Sequence, residues 1–154
     1  MIIILYFCAV KTARLTMKRI LKLLRQYPLT CICLVLICYL SIFFRPPKTP
    51  LDGVAFIDKW THIVMYGGTC AVFWWEYLRN HHYQATMHTF FLGWLPFVIA
   101  SGVIELIQEY LTTNRAGEWL DLLANATGAT LGTLFGVAIK KSNRVKKVRN
   151  GKEL

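Results

Sequence analysis

Four stretches of this chain carry no Asp, Glu, Lys or Arg: those between Arg25 and Arg45, Lys59 and Glu76, Arg79 and Glu105, and Asp121 and Lys140. All four are predominantly apolar. A bilayer core takes roughly 17–25 residues of helix to cross, and each run meets that length once a flanking polar residue is allowed at the interface. The sequence therefore predicts an all-α polytopic membrane protein, a bundle of four transmembrane helices at about Tyr27–Phe44, Lys59–Leu78, Met87–Gln108 and Trp119–Ile139. Composition agrees, with 55% of residues hydrophobic and 17% charged, a balance that argues against a water-soluble domain.

The formal net charge of +10 is segregated. Six basic residues from Lys11 to Arg25 precede the first run and seven from Lys140 to Lys152 follow the last, thirteen of the eighteen in the chain. The positive-inside rule puts both ends in the cytoplasm, as four spans allow, and Arg79 with His81 and His82 puts the second connection there as well. This divides the chain into a basic cytoplasmic lead (1–26), a membrane domain (27–139) and a basic cytoplasmic tail (140–154). The connections Arg45–Asp58 and Glu109–Glu118 then face outward. Basic ends beside apolar helices suit anionic lipid head groups, and no nucleic-acid partner is expected. The opening "MIIILYFCAV" is too short to span and lacks the basic region that starts a signal peptide. Met17 begins "MKRILKLLRQYPL", so translation is expected to start there, with residues 1–16 upstream. Five cysteines form no CxxC pair, and three of them sit inside the first run, where Cys acts as a small hydrophobe.

Polar residues within the runs fall on stripes. Asp58, His62 and Tyr66 are spaced by four, and Ser101, Glu105 and Gln108 by four and three, so each set shares a helix face. Asp121, Asn125, Gly128, Gly132 and Gly136 follow at intervals of four, three, four and four. Gly128, Gly132 and Gly136 are the helix-packing part of that face, because glycines at this spacing admit a close neighbour. Asp121 and Asn125 then face the same neighbour. Under the expected topology Asp58, Lys59, His62, Glu105, Gln108, Arg115, Asp121 and Asn125 all lie at one level near the outer leaflet.

Two segments carry a family resemblance. "DKWTHIVMYG" (58–67) resembles the D-K-x-x-H element of VanZ-like membrane proteins. "GVIELIQEYLTTNRAGEWLDLLANATGATLG" (102–132) resembles that family's E-x-x-Q, loop arginine and D-x-x-x-N-x-x-G element. The family comprises small bacterial integral membrane proteins and is named for a member that confers low-level resistance to the glycopeptide teicoplanin. The resemblance implies a multi-pass protein of the bacterial cytoplasmic membrane.

Ionisable side chains at membrane depth suggest a functional site. The expected function is binding of an envelope ligand, such as a lipid-linked precursor or a glycopeptide, with a contribution to antibiotic or envelope-stress tolerance. Asp58, Lys59, His62, Glu105, Gln108, Arg115, Asp121 and Asn125 are the ligand-binding candidates. Arg115 offers a fork for a carboxylate or phosphate, although the acidic surplus repels bare anions. A different class, a membrane-embedded hydrolase or transferase, would use His62 as general base with Glu105 and Asp121. The same three residues would equally make a three-ligand metal site from three helices. With no HExxH, no GxSxG and no second nearby histidine, no cofactor or metal is expected. A third possibility is an ion-paired scaffold that ties helix ends together.

Overall fold

The computed structural model describes residues 15–43, 56–82, 84–111 and 118–149. Arg115, the Arg45–Pro50 linker, residues 1–14 and residues 150–154 lie outside the described residues. Five helices account for nearly all of the described chain: α1 (Leu15–Gln26), α2 (Pro28–Ile42), α3 (Ile57–Asn80), α4 (Met87–Leu111) and α5 (Trp119–Arg149).

The chain turns by 100° between α1 and α2. Pro28 occupies the first turn of α2, where its missing N–H costs nothing and its fixed φ starts a new helix. The freed donors of that first turn are met from another helix. Glu76 of α3 accepts from Leu29 N at 3.0 Å with Oε1, and from Thr30 N at 3.1 Å and Thr30 Oγ1 at 2.7 Å with Oε2. A carboxylate here also faces the positive end of the α2 dipole. Glu76, one turn from the end of α3, is thus buried and engaged as a cap. On α1, Met17, Ile20, Leu21 and Leu24 share one face and Lys18, Lys22 and Arg25 the other, the pattern of a helix that lies along an interface.

Helices α2 to α5 run up and down. Ile63 and Gly67 of α3 meet Gly128 of α5, and Trp74 meets Gly136, so α3 and α5 lie side by side in parallel. Phe73 packs on Phe97, and Ile104 joins Tyr66 and Ile37, which sets α4 and α2 antiparallel to that pair. The core lies between α3, α4 and α5 around Cys70, Trp74, Leu78, Phe90, Phe97 and Ala129. Trp74 is fully buried, 4.3 Å from the Phe90 ring, and its indole N–H donates to Thr133 Oγ1 at 3.2 Å.

The glycine face does what its spacing predicts. A Cβ on Gly132 would stand 2.5 Å from Gly67 O and 2.9 Å from Ala71 N, and one on Gly136 2.6 Å from Trp74 Cβ. α3 and α5 therefore touch backbone to backbone, a distance only glycine permits.

Two helices are long and apolar enough to cross a membrane, α4 over Met87–Tyr110 and α5 over Trp119–Lys146; the bent pair of α1 and α2 would add a third. The expectation of four spans is corrected to that extent. α2 has 15 residues, about 22 Å at 1.5 Å per residue, shorter than a bilayer core of roughly 30 Å. α3 has the length, at 24 residues, but it buries His62, Thr69 and Glu76 against its neighbours. A helix whose buried polar groups face other helices need not be apolar in composition. α5 also runs past its expected end at Ile139 through the basic residues to Arg149, which suit the negative end of its dipole.

Candidate functional site

The parallel course of α3 and α5 brings two helix N-termini together, with Asp58 in the first turn of one and Asp121 in the first turn of the other. Both partial positive ends face the same layer, which stabilises carboxylates there. The C-terminal half of α4 supplies Glu105 to the same place.

Lys59 is the cationic centre among the described residues. Its Nζ stands 2.8 Å from Asp58 Oδ2 and 2.5 Å from Glu118 Oε2, and it also donates to Asp121 Oδ1. The Lys59 hydrogen bond holds the Asp58 carboxyl below its ordinary range, partly opposed by desolvation.

Beneath this rim lies a buried group. His62 Nδ1–H donates to Asn125 Oδ1 at 2.9 Å, and His62 Nε2 stands 3.5 Å from Asp121 Oδ2. Asn125 Nδ2 donates to Glu105 Oε1 at 3.4 Å, and the Glu118 backbone N–H donates to Glu105 Oε2 at 3.2 Å. His62, Glu105, Asp121 and Asn125 are each more than nine-tenths buried. Asn125 is thus buried and bonded at both ends of its amide.

Of the residues singled out from sequence, Asp58, Lys59, His62, Glu105, Asp121 and Asn125 are brought together. Gln108 is not. It turns to α2, where its Nε2 donates to Ser41 O at 2.7 Å and holds the end of that helix. Arg115 lies outside the described residues. Glu118 belongs to the layer although the motif spacing did not select it. Its signal in the sequence is its position just before the first residue of α5, three before Asp121, where an acid favours a helix start.

A groove of about 480 Å³ opens beside this layer, between α4 and α5. Ile99, Val103, Leu106, Tyr110 and Leu122 give it apolar walls, while Glu105, Glu109 and Glu118 supply its acids. A second groove, about 500 Å³ between α2, α3 and α4, is lined almost wholly by apolar side chains such as Leu34, Phe73 and Phe97.

Three chemical uses fit this geometry: an acidic cradle for a cationic or donor-rich group, a general base at His62 flanked by carboxylates, and a three-ligand cation site. The chain matches no protein-family model, no curated protein and no solved structure.

Proposed function

We propose that this is a membrane-embedded binding protein of the bacterial cell envelope, whose acidic layer takes the head group of an amphiphile lying in the α4–α5 groove. The observation that carries this reading is the groove itself. It is of ligand size, apolar along its walls and joined to Glu105 and Glu118, so one molecule can bury a chain and present a polar head to the acids. The described lining contains three acids and no basic residue, which favours an amine or a multiply hydroxylated head over a bare phosphate.

On this reading the bundle sits in the cytoplasmic membrane with both chain ends inside and the acidic layer at the outer leaflet. α3 lies along the spanning helix α5, so it occupies the same depth despite its polar residues. The basic stretches before α2 and at the end of α5 support this orientation. The resemblance to VanZ-like proteins extends the proposal to tolerance of glycopeptides such as teicoplanin, through a lipid-linked envelope ligand. A second reading, hydrolase or transferase chemistry, is favoured by one observation: His62 Nε2 lies within reach of Asp121 while Asn125 holds the other nitrogen.

The test uses Gly102→Leu. A Cβ at Gly102 meets only Leu122 Cδ1, at 3.9 Å, so the larger side chain fills the groove without displacing backbone. Native mass spectrometry from mixed phosphatidylethanolamine and phosphatidylglycerol should show the amine lipid retained by the wild type and lost by the variant. Equal retention of both lipids, or an unaffected variant, refutes the reading. Loss of teicoplanin tolerance in the same variant would tie the groove to the phenotype.

A further inference from the structure

We infer that the apolar groove between α2, α3 and α4 holds an uncharged long-chain lipid, one end of which carries an oxygen that accepts a hydrogen bond from the Tyr66 hydroxyl. This groove is separate from the one between α4 and α5, and the inference stands without the amphiphile reading. Leu23, Tyr27 and Tyr77 line its end at the α1–α2 elbow, and Ile37, Tyr66 and Ile104 line the other. Tyr77 and Tyr66 stand eleven residues apart on α3, about 16 Å at 1.5 Å per residue. One leaflet of a hydrocarbon core of roughly 30 Å is about 15 Å deep. The groove, with a volume of about 500 Å³, therefore has the length of one lipid chain.

The chemistry of the occupant is set by an unpaired polar group. Among the described residues two buried side-chain oxygens have no hydrogen-bond partner, Tyr66 Oη and Ser101 Oγ. Of the two residues only Tyr66 lines the groove, where its ring packs with Ile37 of α2 and Ile104 of α4. Tyr66 is 3% exposed, so water is kept from a hydroxyl whose burial is costly until an acceptor meets it. No charged residue lines the groove, and the Thr30 hydroxyl is already given to Glu76, so the wall suits neither a phosphate nor an ammonium group. Depth argues against a phospholipid in either direction. Tyr66 is nine residues inside the start of α3, about 13 Å, where a charged head group would lose its water without gaining a partner. A phospholipid with its head at the elbow would bring only the methylene groups of its chain to Tyr66 and leave the hydroxyl unmet. An uncharged lipid whose carbonyl or hydroxyl oxygen reaches Tyr66 satisfies both conditions. Its apolar body covers Leu34, Phe73 and Phe97, and its oxygen gives the phenol an acceptor.

The test compares undecyl methyl ketone with tridecane, chains of equal length that differ by one carbonyl oxygen. The full chain in detergent is loaded with an equal mixture and released for native mass spectrometry. The wild type should retain the ketone over the alkane by roughly 2–10-fold, the range of a single hydrogen bond. Tyr66→Phe keeps the ring and removes the hydroxyl, so it should retain both chains alike and melt no lower than the wild type. The infrared carbonyl stretch of the bound ketone should lie lower in the wild type than in Tyr66→Phe, a signature that altered packing alone would not produce. Ala100→Leu, in the groove wall, should weaken retention of both chains. A wild type that retains neither chain, or both alike, overturns the inference. So does a Tyr66→Phe variant that still prefers the ketone, shows the same carbonyl stretch or melts below the wild type, and so does an Ala100→Leu variant that binds as before. The wild-type preference needs no variant, so a substitution that fails to fold leaves the inference exposed to refutation. Gly102 lines the α4–α5 groove and not this one, so Gly102→Leu should leave ketone retention unchanged and the two readings fail separately.

Discussion

Replacing Gly132 by alanine tests the central packing. The added Cβ would lie 2.5 Å from Gly67 O, 2.8 Å from Cys70 Cβ and 2.9 Å from Ala71 N. None of these atoms can be moved by a rotamer change, because all are fixed by the course of α3. Relief requires α5 to withdraw from α3 by about 0.9 Å, the step from 2.5 Å to the 3.4 Å where ordinary van der Waals contact begins. A radial gap of 0.5–1 Å forfeits roughly a quarter to a half of each neighbouring dispersion contact. Overpacking of this kind costs about 1–3 kcal/mol. For a chain of this size each kcal/mol shifts the midpoint by roughly 2–4 °C, so melting should fall by several degrees. The control is Gly68→Ala, where a Cβ meets nothing within 4 Å. There the loss of unfolded-state freedom should leave stability unchanged or raise it by about 0.4–1 kcal/mol. The assay is thermal unfolding of both variants in one detergent, followed by circular dichroism. If Gly132→Ala melts at or above the wild type, or both variants shift alike, the backbone-to-backbone approach of α3 and α5 is wrong.

Two further substitutions probe the polar groups. Glu76→Ala removes the acceptors for Leu29 N, Thr30 N and Thr30 Oγ1, and at about 1–3 kcal/mol for buried donors left unpaired it should lower the melting point. Hydrogen exchange at Leu29 and Thr30 should accelerate more than exchange in the centre of α5, and uniform acceleration would argue against the cap. Lys59→Met leaves Asp58, Glu118 and Asp121 facing one another. In the wild type the lowered Asp58 value means that its contribution is present above about 3.8 and is lost as pH falls through the lower folded value. The variant should reverse the sign, since crowded carboxylates without a cation bind protons more readily when folded and gain stability on acidification. Melting profiles from neutral pH to pH 4 that run in the same direction for both proteins would refute this.

The helical class and the packing face were legible because both depend on periodicity. Glycines at 128, 132 and 136 declare a close contact whatever lies opposite, and Asp121 and Asn125 inherit the direction of that face. Hydropathy misjudged α2 and α3 for a physical reason. A charge-free run does not show that Pro28 breaks the chain and leaves α2 only 15 residues, nor that α3 spends its faces on other helices, where His62 and Glu76 are enclosed. The role of Glu76 was hidden because its partners are backbone donors 46 and 47 residues away, which no local pattern encodes. The bond from Gln108 to Ser41 was hidden for the same reason: sharing a stripe with Glu105 fixes the helix face, but not the partner one further turn along α4.

Packing and site are therefore one device. The hydrogen bond of 2.9 Å between His62 and Asn125 links short side chains on neighbouring parallel helices, and it closes only because the helix axes approach where Gly128 meets Ile63 and Gly67. Asn125 lies less than one turn from Gly128, so any residue that pushes α5 away at that point opens the polar group above it. A withdrawal of about 0.9 Å, as deduced for Gly132, would stretch a 2.9 Å bond beyond 3.5 Å and end it. Gly128→Ala should then lose both stability and the orientation of the His62 ring, although it touches no polar atom of the site. In a purely apolar contact, loss of packing and loss of the polar group would be separable. Here the glycine spacing and the acid spacing lie on one face of α5, so neither can change alone.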